Sequence, residues 1–514
     1  MELTLKAMIG QRLVAGFPGY EITDALRSVV KEYKVGNIIL FAENVRDCAQ
    51  LRRLCAQLQE LIRGETGLPA FITIDQEGGV VSRLGEDAAV VPGAMCVSAT
   101  GNPHNAWTAG YITGRELAAL GVNFDLAPVM DVNSNPQNPV IGVRSYGDTP
   151  ETVARFGVEM IRGLREGGVL SCAKHFPGHG DTAVDSHLSL PRVDKSLAEL
   201  EACELIPFRA AIEAGVPAVM TTHILFPQLE PDGVPATMSR RIITGLLKER
   251  LGFQGLVVSD CMMMQAIEKY FGTVNGVVAA ACAGVDLMFT SHSTDLARES
   301  CQALEQAVRE GRLPMEELRA SVEKIIRVKQ ALPSVPDDAG VVGCPEHRAQ
   351  VRRILEEGLA LVRGELPPLG DNPVFFGCHP FRPTIASNPE DTSISFPRTM
   401  ARRLGGTGIP TPADPTEEEI AAIVEEARGH SAIVIGTYNG HIRRGQLRLV
   451  EALSALGIPM ACVALRNPYD LLSLPRGVAG LAAFAYDNAA MDAVARALKG
   501  ELIPRGRLPL GGAR

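Results

Sequence analysis

The sequence has few of the features that mark membrane, disulfide-bonded or nucleic-acid-binding proteins. No apolar run reaches the roughly 18 residues that a membrane-spanning helix needs, so no membrane partner is expected. The 11 cysteines lie far apart and form no C-x-x-C pair, which argues against a disulfide framework and a zinc ribbon. The net charge is -9 and basic residues form no patch, so nucleic acid is not an expected partner.

Several catalytic motifs are also missing. There is no G-x-S-x-G elbow, no Gly-Lys dipeptide and no G-x-G-x-x-G after an apolar run, which disfavours serine hydrolysis, a phosphate-binding P-loop and a dinucleotide site. The first residues, MELTLKAMIGQRLVAGF, contain no basic segment followed by an apolar stretch and a cleavage site, so no signal peptide is expected. These absences predict a cytoplasmic protein.

The composition is that of a globular protein with two domains. The chain has 514 residues, of which 46% are hydrophobic and 21% are charged. This length exceeds what one hydrophobic core usually spans. A stretch rich in Pro, Gly and Asp, ALPSVPDDAGVVGCPEHR (331–348), reads as a connection. We therefore predict a first domain over 1–335, a linker over 336–350 and a second domain over 351–514.

Short apolar runs alternate with helical patterns throughout the first domain. The runs are of strand length and largely apolar on both faces, which is typical of buried parallel strands. They cover 13–17, 35–41, 70–75, 122–129, 169–176, 218–224, 255–260 and 285–291. The helical patterns between them include 48–64, 150–168, 197–215 and 297–311. Eight such units predict a (β/α)8 barrel of the TIM type.

The second domain shows a shorter α/β pattern. A helix is predicted over 345–364 and another over 416–430, and strands are predicted over 373–378, 432–439, 460–468 and 481–487. This alternation predicts a smaller α/β sandwich domain built on a parallel sheet.

Polar side chains stand where the apolar runs of the first domain end. Asp75 follows FITI, Lys174 and His175 follow SCA, His223 follows MTT and Asp260 follows VVS. In a barrel of this kind the carboxyl ends of the strands carry the active site. Ionisable groups at the ends of apolar strands cost free energy, so they are expected there only when they bind or react. The pattern predicts a catalytic or binding site at this edge.

The stretch KHFPGHGDTAVDSH (174–187) permits two interpretations. Its possible metal ligands are His175, His179, Asp181, Asp185 and His187, although a Pro-Gly-x-Gly turn would spread them along a loop. Alternatively, Asp185 orients His187 and raises its basicity, which makes His187 a general acid/base. The role of Asp260 has two interpretations as well: it is either a nucleophile on an electrophilic carbon or an N-cap of the following helix.

The order and content of five segments resemble glycoside hydrolase family 3, in its β-N-acetylglucosaminidase branch. The segments are IDQEGGVVSRL (74–84), NFDLAPVMDVNSNPQNPVIGVRSYG (123–147), AKHFPGHGDTAVDSHLSLP (173–191), MTTHILFPQLEPDGVPATMS (220–239) and GFQGLVVSDCMMM (252–264). They span the first domain, and K-H-F-P-G-x-G-x4-D-S-H is very specific. RNPYDL (466–471) and GRLPL (506–510) resemble the family's α/β sandwich domain more loosely.

The resemblance implies residue roles. Asp260 matches the family's nucleophile, His187 its acid/base and Asp185 the partner of that histidine. Five further residues match the positions that hold sugar hydroxyls: Asp75, Arg83, Arg144, Lys174 and His175. A (β/α)8 barrel followed by a sandwich domain is implied, with no metal and no cofactor.

The function that follows is a retaining, exo-acting β-N-acetylhexosaminidase whose partner is a small carbohydrate; no oligomeric state is predicted. The expected substrates are short oligosaccharides from peptidoglycan turnover (muropeptides) or from chitin. A β-glucosidase or other family 3 glycosidase and an N-acetylglucosaminide phosphorylase are the alternatives within the family. A metal-dependent hydrolase is the alternative from another class, and a sugar-binding homologue without turnover is a third.

Overall fold

The computed structural model describes residues 3–182, 190–334, 336, 338–382, 384, 387 and 393–511. Eight strands form its first sheet: β1 (Leu13–Ala15), β2 (Asn37–Leu40), β3 (Phe71–Ile74), β4 (Phe124–Asp125), β5 (Cys172–Phe176), β6 (Ala218–Thr221), β7 (Leu256–Cys261) and β8 (Leu287–Thr290). Their order is β4-β3-β2-β1-β8-β7-β6-β5, and every pair is parallel. All eight predicted strands are present, each within or close to its predicted range.

The two outer strands of this sheet, β4 and β5, face each other and bring it close to a closed barrel. Parallel bridges join Phe124 to Leu170 and Val129 to Lys174. The main-chain N–H of Cys172 donates to the carbonyl of Ala127 at 2.8 Å. β4 is short because Pro128 has no N–H to donate to a ladder. The predicted barrel is therefore confirmed.

Helices surround this barrel. They are α1 (Leu5–Gln11), α2 (Asp24–Tyr33), α3 (Cys48–Thr66), α4 (Ala94–Ala99), α5 (His104–Leu120), α6 (Pro150–Gly167), α7 (Leu197–Ala202), α8 (Leu205–Glu213), a π-helix (Arg241–Arg250), α9 (Gln265–Phe271), α10 (Thr273–Ala283), α11 (Thr294–Arg309) and α12 (Met315–Gln330). The single helix predicted over 197–215 is two helices, because Cys203 leaves the helical conformation and Pro207 cannot donate to a preceding turn. None of the helices in the described ranges is both long and apolar enough to cross a membrane.

Alternate side chains of the barrel strands pack on opposite faces. In β1 the side chain of Val14 points into a cluster inside the barrel, together with Phe71 and Phe289. Its neighbours Leu13 and Ala15 belong to the cluster between the strands and the helices. Both faces are thus apolar, as the continuous apolar runs predict. The filled interior leaves polar side chains to the ends of the strands.

The second sheet is made of β9 (Ala360–Arg363), β10 (Pro373–Gly377), β11 (Thr407–Pro410), β12 (Ala432–Thr437), β13 (Met460–Ala464) and β14 (Val478–Ala482). The order is β11-β10-β12-β13-β14-β9, in which only the β14–β9 pair is antiparallel. Its helices are α13 (Pro345–Gly358), α14 (Phe396–Leu404), α15 (Glu417–Glu426), α16 (Gly445–Ser454) and α17 (Asn488–Leu498). An α/β layered fold is confirmed, although the sheet is mixed rather than purely parallel.

Two predicted elements of this second part were wrong in their bounds. The helix predicted over 345–364 ends at Gly358, and its last residues form β9 instead. The strand predicted over 481–487 is β14, which ends at Ala482, because Phe484 takes a φ of +60° that an extended strand cannot accommodate. Each sheet lies wholly on one side of the predicted linker (336–350), whose boundaries stay a prediction.

Candidate active site

Four of the barrel strands end in ionisable side chains at one edge. Asp75 directly follows β3, Lys174 and His175 lie within β5, His223 comes two residues after β6, and Asp260 lies within β7. Because all eight strands are parallel, these carboxyl ends meet at the same rim of the barrel. The structure thus brings together the strand-end residues that the sequence predicted to form a site.

Lys174 is at the centre of a buried network of charges. Its Nζ lies 2.7 Å from Asp75 Oδ1 and 2.6 Å from Glu77 Oε1. Glu77 in turn accepts two parallel bonds from Arg144, at 2.9 Å from Nε and 2.8 Å from Nη2. Such a two-pronged pair fixes the plane of the guanidinium as well as its position. The network holds both cations rigidly.

In this network burial and the neighbouring charges shift the pKa values in opposite directions, and the charges have the larger effect. Burial alone would raise the pKa of the Glu77 carboxyl, but Arg144 and Lys174 lower it below its ordinary value. Burial disfavours the charged form of Lys174, yet Asp75 and Glu77 raise its pKa. Glu77, Arg144 and Lys174 are therefore ionised near neutral pH.

Asp75 is the member of the network that reaches the solvent. Its side chain is 19% exposed, compared with 2% for Lys174. Arg83, on the same segment, has its Nη2 3.8 Å from Asp75 Oδ2. A partly exposed carboxylate held by two cations is suited to bind a neutral hydroxyl by a charge-assisted hydrogen bond.

His175 is fixed by a buried carboxylate. Its Nδ1 lies 2.7 Å from Asp131 Oδ2, while the main-chain N–H groups of His175 and His179 donate to Asp131 Oδ1 at 3.2 and 2.7 Å. Burial would raise the pKa of Asp131, but the adjacent His175 and these hydrogen bonds lower it. An ionised Asp131 orients the His175 ring and directs its other nitrogen away from the pair.

His179 has a different environment. Burial, followed by the charge of His175, lowers its pKa to about 4. Its Nδ1 lies 3.0 Å from the Thr182 hydroxyl, and its carbonyl accepts from the Asn138 side chain at 2.8 Å. His179 is therefore neutral at physiological pH. Its carbonyl joins the segment that follows β5 to the barrel loop that carries Asn138.

The low pKa of His179 predicts a loss of stability in acid. Between pH 6.5 and about 4 the unfolded chain binds a proton at His179 that the folded protein does not bind. The contribution of His179 to the free energy of unfolding is therefore complete above pH 6.5 and falls as the pH is lowered towards 4. Its full size is about 3 kcal/mol. We expect His179→Asn to lose less unfolding free energy than the parent between pH 7 and pH 5, as measured by urea denaturation.

The control for this experiment is His104→Asn, which changes an exposed histidine at the start of α5. It should show the same pH dependence as the parent protein. Identical pH dependence in all three proteins would show that His179 is not the group responsible.

Asp260 is held by the main chain next to it. Its Oδ1 accepts from the N–H of Cys261 at 2.7 Å, and the residue is half-buried. The carbonyl of Cys261 lies 2.9 Å from Nε2 of the buried His223, whose Nδ1 is 2.9 Å from the Thr237 hydroxyl. These contacts fix the peptide that carries the carboxylate. The N-cap interpretation of Asp260 was wrong, since α9 begins only at Gln265 and its N-cap is Met264.

Asp185 and His187 lie outside the described residues, so their predicted pairing stays a prediction. The described part of their segment ends at Thr182. Gly180 packs against the barrel there: a Cβ on it would lie 1.7 Å from the Val132 carbonyl oxygen. Within the described ranges, no group of three or more His, Cys, Asp or Glu side chains is arranged to hold a metal ion.

Sequence reasoning missed two residues of this site. Glu77 and Asp131 stand in the quoted segments IDQEGG and APVMDV, but no role was assigned to them. Asp131 follows an apolar run by a few residues, as the predicted site residues do, so that signal could have found it. Glu77 carries the same signal, since it stands two residues after the run 70–75, but its partners come from distant parts of the chain and could not be predicted.

Comparison with known proteins gives consistent matches. The model of the glycosyl hydrolase family 3 N terminal domain matches residues 4–328. Beta-hexosaminidase A of Pseudoalteromonas piscicida is 36% identical over 414 residues, which cover 72% of this chain and 69% of the relative. A beta-hexosaminidase of Thiobacillus denitrificans is 35% identical over 293 residues, covering 56% of this chain and 80% of its own.

A solved structure is similar along the whole chain. The glycoside hydrolase family 3 beta-N-acetylglucosaminidase of Paenibacillus sp. str. FPU-7 superposes with a TM-score of 0.91 at 39% identity. The superposition covers 99% of each chain, so both sheets have their counterparts there.

Proposed function

Since the chain belongs to glycosyl hydrolase family 3 and is a glycoside hydrolase, we propose that it is a retaining, exo-acting β-N-acetylhexosaminidase. It would remove terminal β-linked N-acetylglucosamine from short oligosaccharides, such as muropeptide or chitin fragments. The observation that carries the proposal is the meeting of Asp260 with the Asp75–Lys174 pair at one rim of the barrel. The similar proteins are two beta-hexosaminidases and a beta-N-acetylglucosaminidase, which supports the choice of sugar.

Asp260 is the proposed nucleophile. Its carboxylate attacks the anomeric carbon, the bond to the leaving oxygen breaks, and a glycosyl–aspartate ester forms. A fixed anionic carboxylate also stabilises the positive charge that develops on the sugar ring in the transition state. The support for this role is its position on β7 at the carboxyl edge and the hydrogen bond that holds Oδ1.

His187 is the proposed acid/base, with Asp185 as its partner. It donates a proton to the leaving oxygen in the first step and takes a proton from water in the second. Attack by that water on the anomeric carbon breaks the bond to Asp260 and releases the sugar with net retention of configuration. Because this base is a neutral imidazole rather than a carboxylate, it would not repel phosphate, and phosphate could replace water as the acceptor.

The charged network is the proposed site for the sugar hydroxyls. Asp75, Arg83, Arg144, Lys174 and His175 would bind the ring in the subsite before the scissile bond. Pairing of Lys174 and Arg144 with Glu77 supports this role, because it holds the cations in place before the sugar arrives. No substrate-binding energy is then spent on ordering them.

Release of nitrophenol from β-glycosides of N-acetylglucosamine, N-acetylgalactosamine and glucose tests the proposed specificity. We expect the highest kcat/KM with N-acetylglucosamine and at least a 100-fold lower value with glucose. The reason is that a site built around the acetamido group leaves polar groups unpaired when that group is missing, which costs about 10⁴-fold in favourable cases. A preference for glucose would instead indicate a β-glucosidase.

Two additions to the same assay separate the remaining alternatives. Formation of a sugar 1-phosphate in phosphate buffer would indicate a phosphorylase. Loss of activity with a chelator, with recovery on adding zinc, would indicate a metal-dependent hydrolase. Binding of the sugar without any turnover would indicate a sugar-binding homologue.

A further inference from the structure

One short segment of the second sheet contacts the barrel beside the candidate active site. This RNPYD segment (466–470) follows β13, at the carboxyl edge of the second sheet. Asn467 and Tyr469 within it are 4% and 6% exposed. Neither residue has a role in the mechanism proposed above, yet both direct polar side chains into a buried contact.

Both side chains bond to the barrel loop that carries Arg144. The Oδ1 of Asn467 accepts from the N–H of Val143 at 2.9 Å. The Tyr469 hydroxyl accepts from Nδ2 of Asn133 at 2.6 Å, and Oδ1 of Asn133 accepts from the N–H of Gly142 at 3.1 Å. The single turn of 3-10 helix over Gly142–Arg144 is therefore held from two sides.

The packing at this contact is close. Gly142 has a φ of +45°, and a Cβ on it would lie 2.3 Å from Oδ1 of Asn467. Arg144 is the last residue of the turn, and its guanidinium bonds to Glu77 in the charged network. Any shift of the turn would thus be transmitted to the position of the guanidinium.

We propose that Asn467 and Tyr469 are positioning residues for Arg144, through which the second sheet completes the sugar subsite of the barrel. The proposal rests on the role given to Arg144 in the proposed function. A displaced guanidinium forms weaker charge-assisted bonds to the sugar and binds it in a poorer geometry for attack. Both effects lower kcat/KM.

A different hydrogen bond between the two parts of the chain does not involve this turn. Nδ2 of Asn105 on α5 donates to Glu357 Oε2 on α13 at 2.7 Å. A general loosening of the contact and a displacement of Arg144 can therefore be separated by substitution. Glu357→Ala removes a hydrogen bond between the two parts of the chain that does not involve the turn, and it is the matched control.

The test is a double-mutant cycle with nitrophenyl N-acetyl-β-glucosaminide as the probe. We expect Asn467→Ala and Tyr469→Phe each to lower kcat/KM at least 10-fold in the parent protein. In an Arg144→Ala background the same substitutions should change it less than 2-fold, because the group that they position is gone. Glu357→Ala should leave kcat/KM within 2-fold of the parent.

The outcomes are distinguishable. Equal losses from Asn467→Ala with and without Arg144 would show a structural role only and would overturn the inference. So would parent-like kcat/KM in both Asn467→Ala and Tyr469→Phe when Arg144→Ala is impaired. If Arg144→Ala itself is fully active, the assigned role of Arg144 fails. Tyr469→Phe removes one hydroxyl, so it keeps the test available if Asn467→Ala does not fold.

Discussion

Replacement of Asp260 by alanine is expected to abolish turnover, with kcat at least about 10⁴-fold below that of the parent protein. The reason is that no ester intermediate can form without the carboxylate, and the charge on the sugar in the transition state loses its closest counter-charge. Steady-state release of nitrophenol measures the loss. Thermal unfolding followed by circular dichroism should give a midpoint close to that of the parent, because Asp260 is half-buried at the rim rather than in the core.

Asp295→Ala is the control for this substitution. Asp295 is an exposed carboxylate in the first turn of α11, and its removal should leave kcat unchanged. Retention of more than one tenth of the parent kcat by Asp260→Ala would show that another group is the nucleophile.

The second large effect is expected for His187→Ala, and it should depend on the leaving group. A sugar leaving group needs a proton as the bond breaks, so kcat/KM for chitobiose should fall by about 10² to 10⁴-fold. A dinitrophenolate leaves without a proton, so kcat/KM for the dinitrophenyl glycoside should fall less than 10-fold. The ratio of the two losses is the measurement.

His430→Ala is the matched control. His430 is a partly exposed histidine between α15 and β12, and its replacement should change kcat/KM for neither substrate. Equal losses on chitobiose and on the dinitrophenyl glycoside in His187→Ala would argue against His187 as the general acid. Such a result would point to a role in binding, which does not distinguish leaving groups.

The barrel could be predicted from the sequence because its strands are short apolar runs that end in polar residues. Both the number of units and the edge that carries Asp75, Lys174 and Asp260 follow from that local pattern. Hydrophobic periodicity does not report where an element stops. For that reason β9 was predicted as the end of a helix, and the end of β14 depends on a single positive φ at Phe484.

The contacts of the site could not be predicted, because they join distant parts of the chain. Arg144 and Glu77 are separated by 67 residues, and His175 and Asp131 by 44. The bond from Val143 to Asn467 spans 324 residues and joins a loop of the barrel to the segment after β13. No local pattern indicates such a pair, whereas an isolated charge at the end of an apolar strand is visible at once.

The most direct test of the account is to trap the intermediate. The protein is incubated with a fluorinated N-acetylglucosamine donor that forms the ester faster than it is hydrolysed, and is then digested and mapped by mass spectrometry. The account predicts one added sugar on the peptide that contains Asp260. A sugar on any other residue, or inactivation without a covalent adduct, would contradict it.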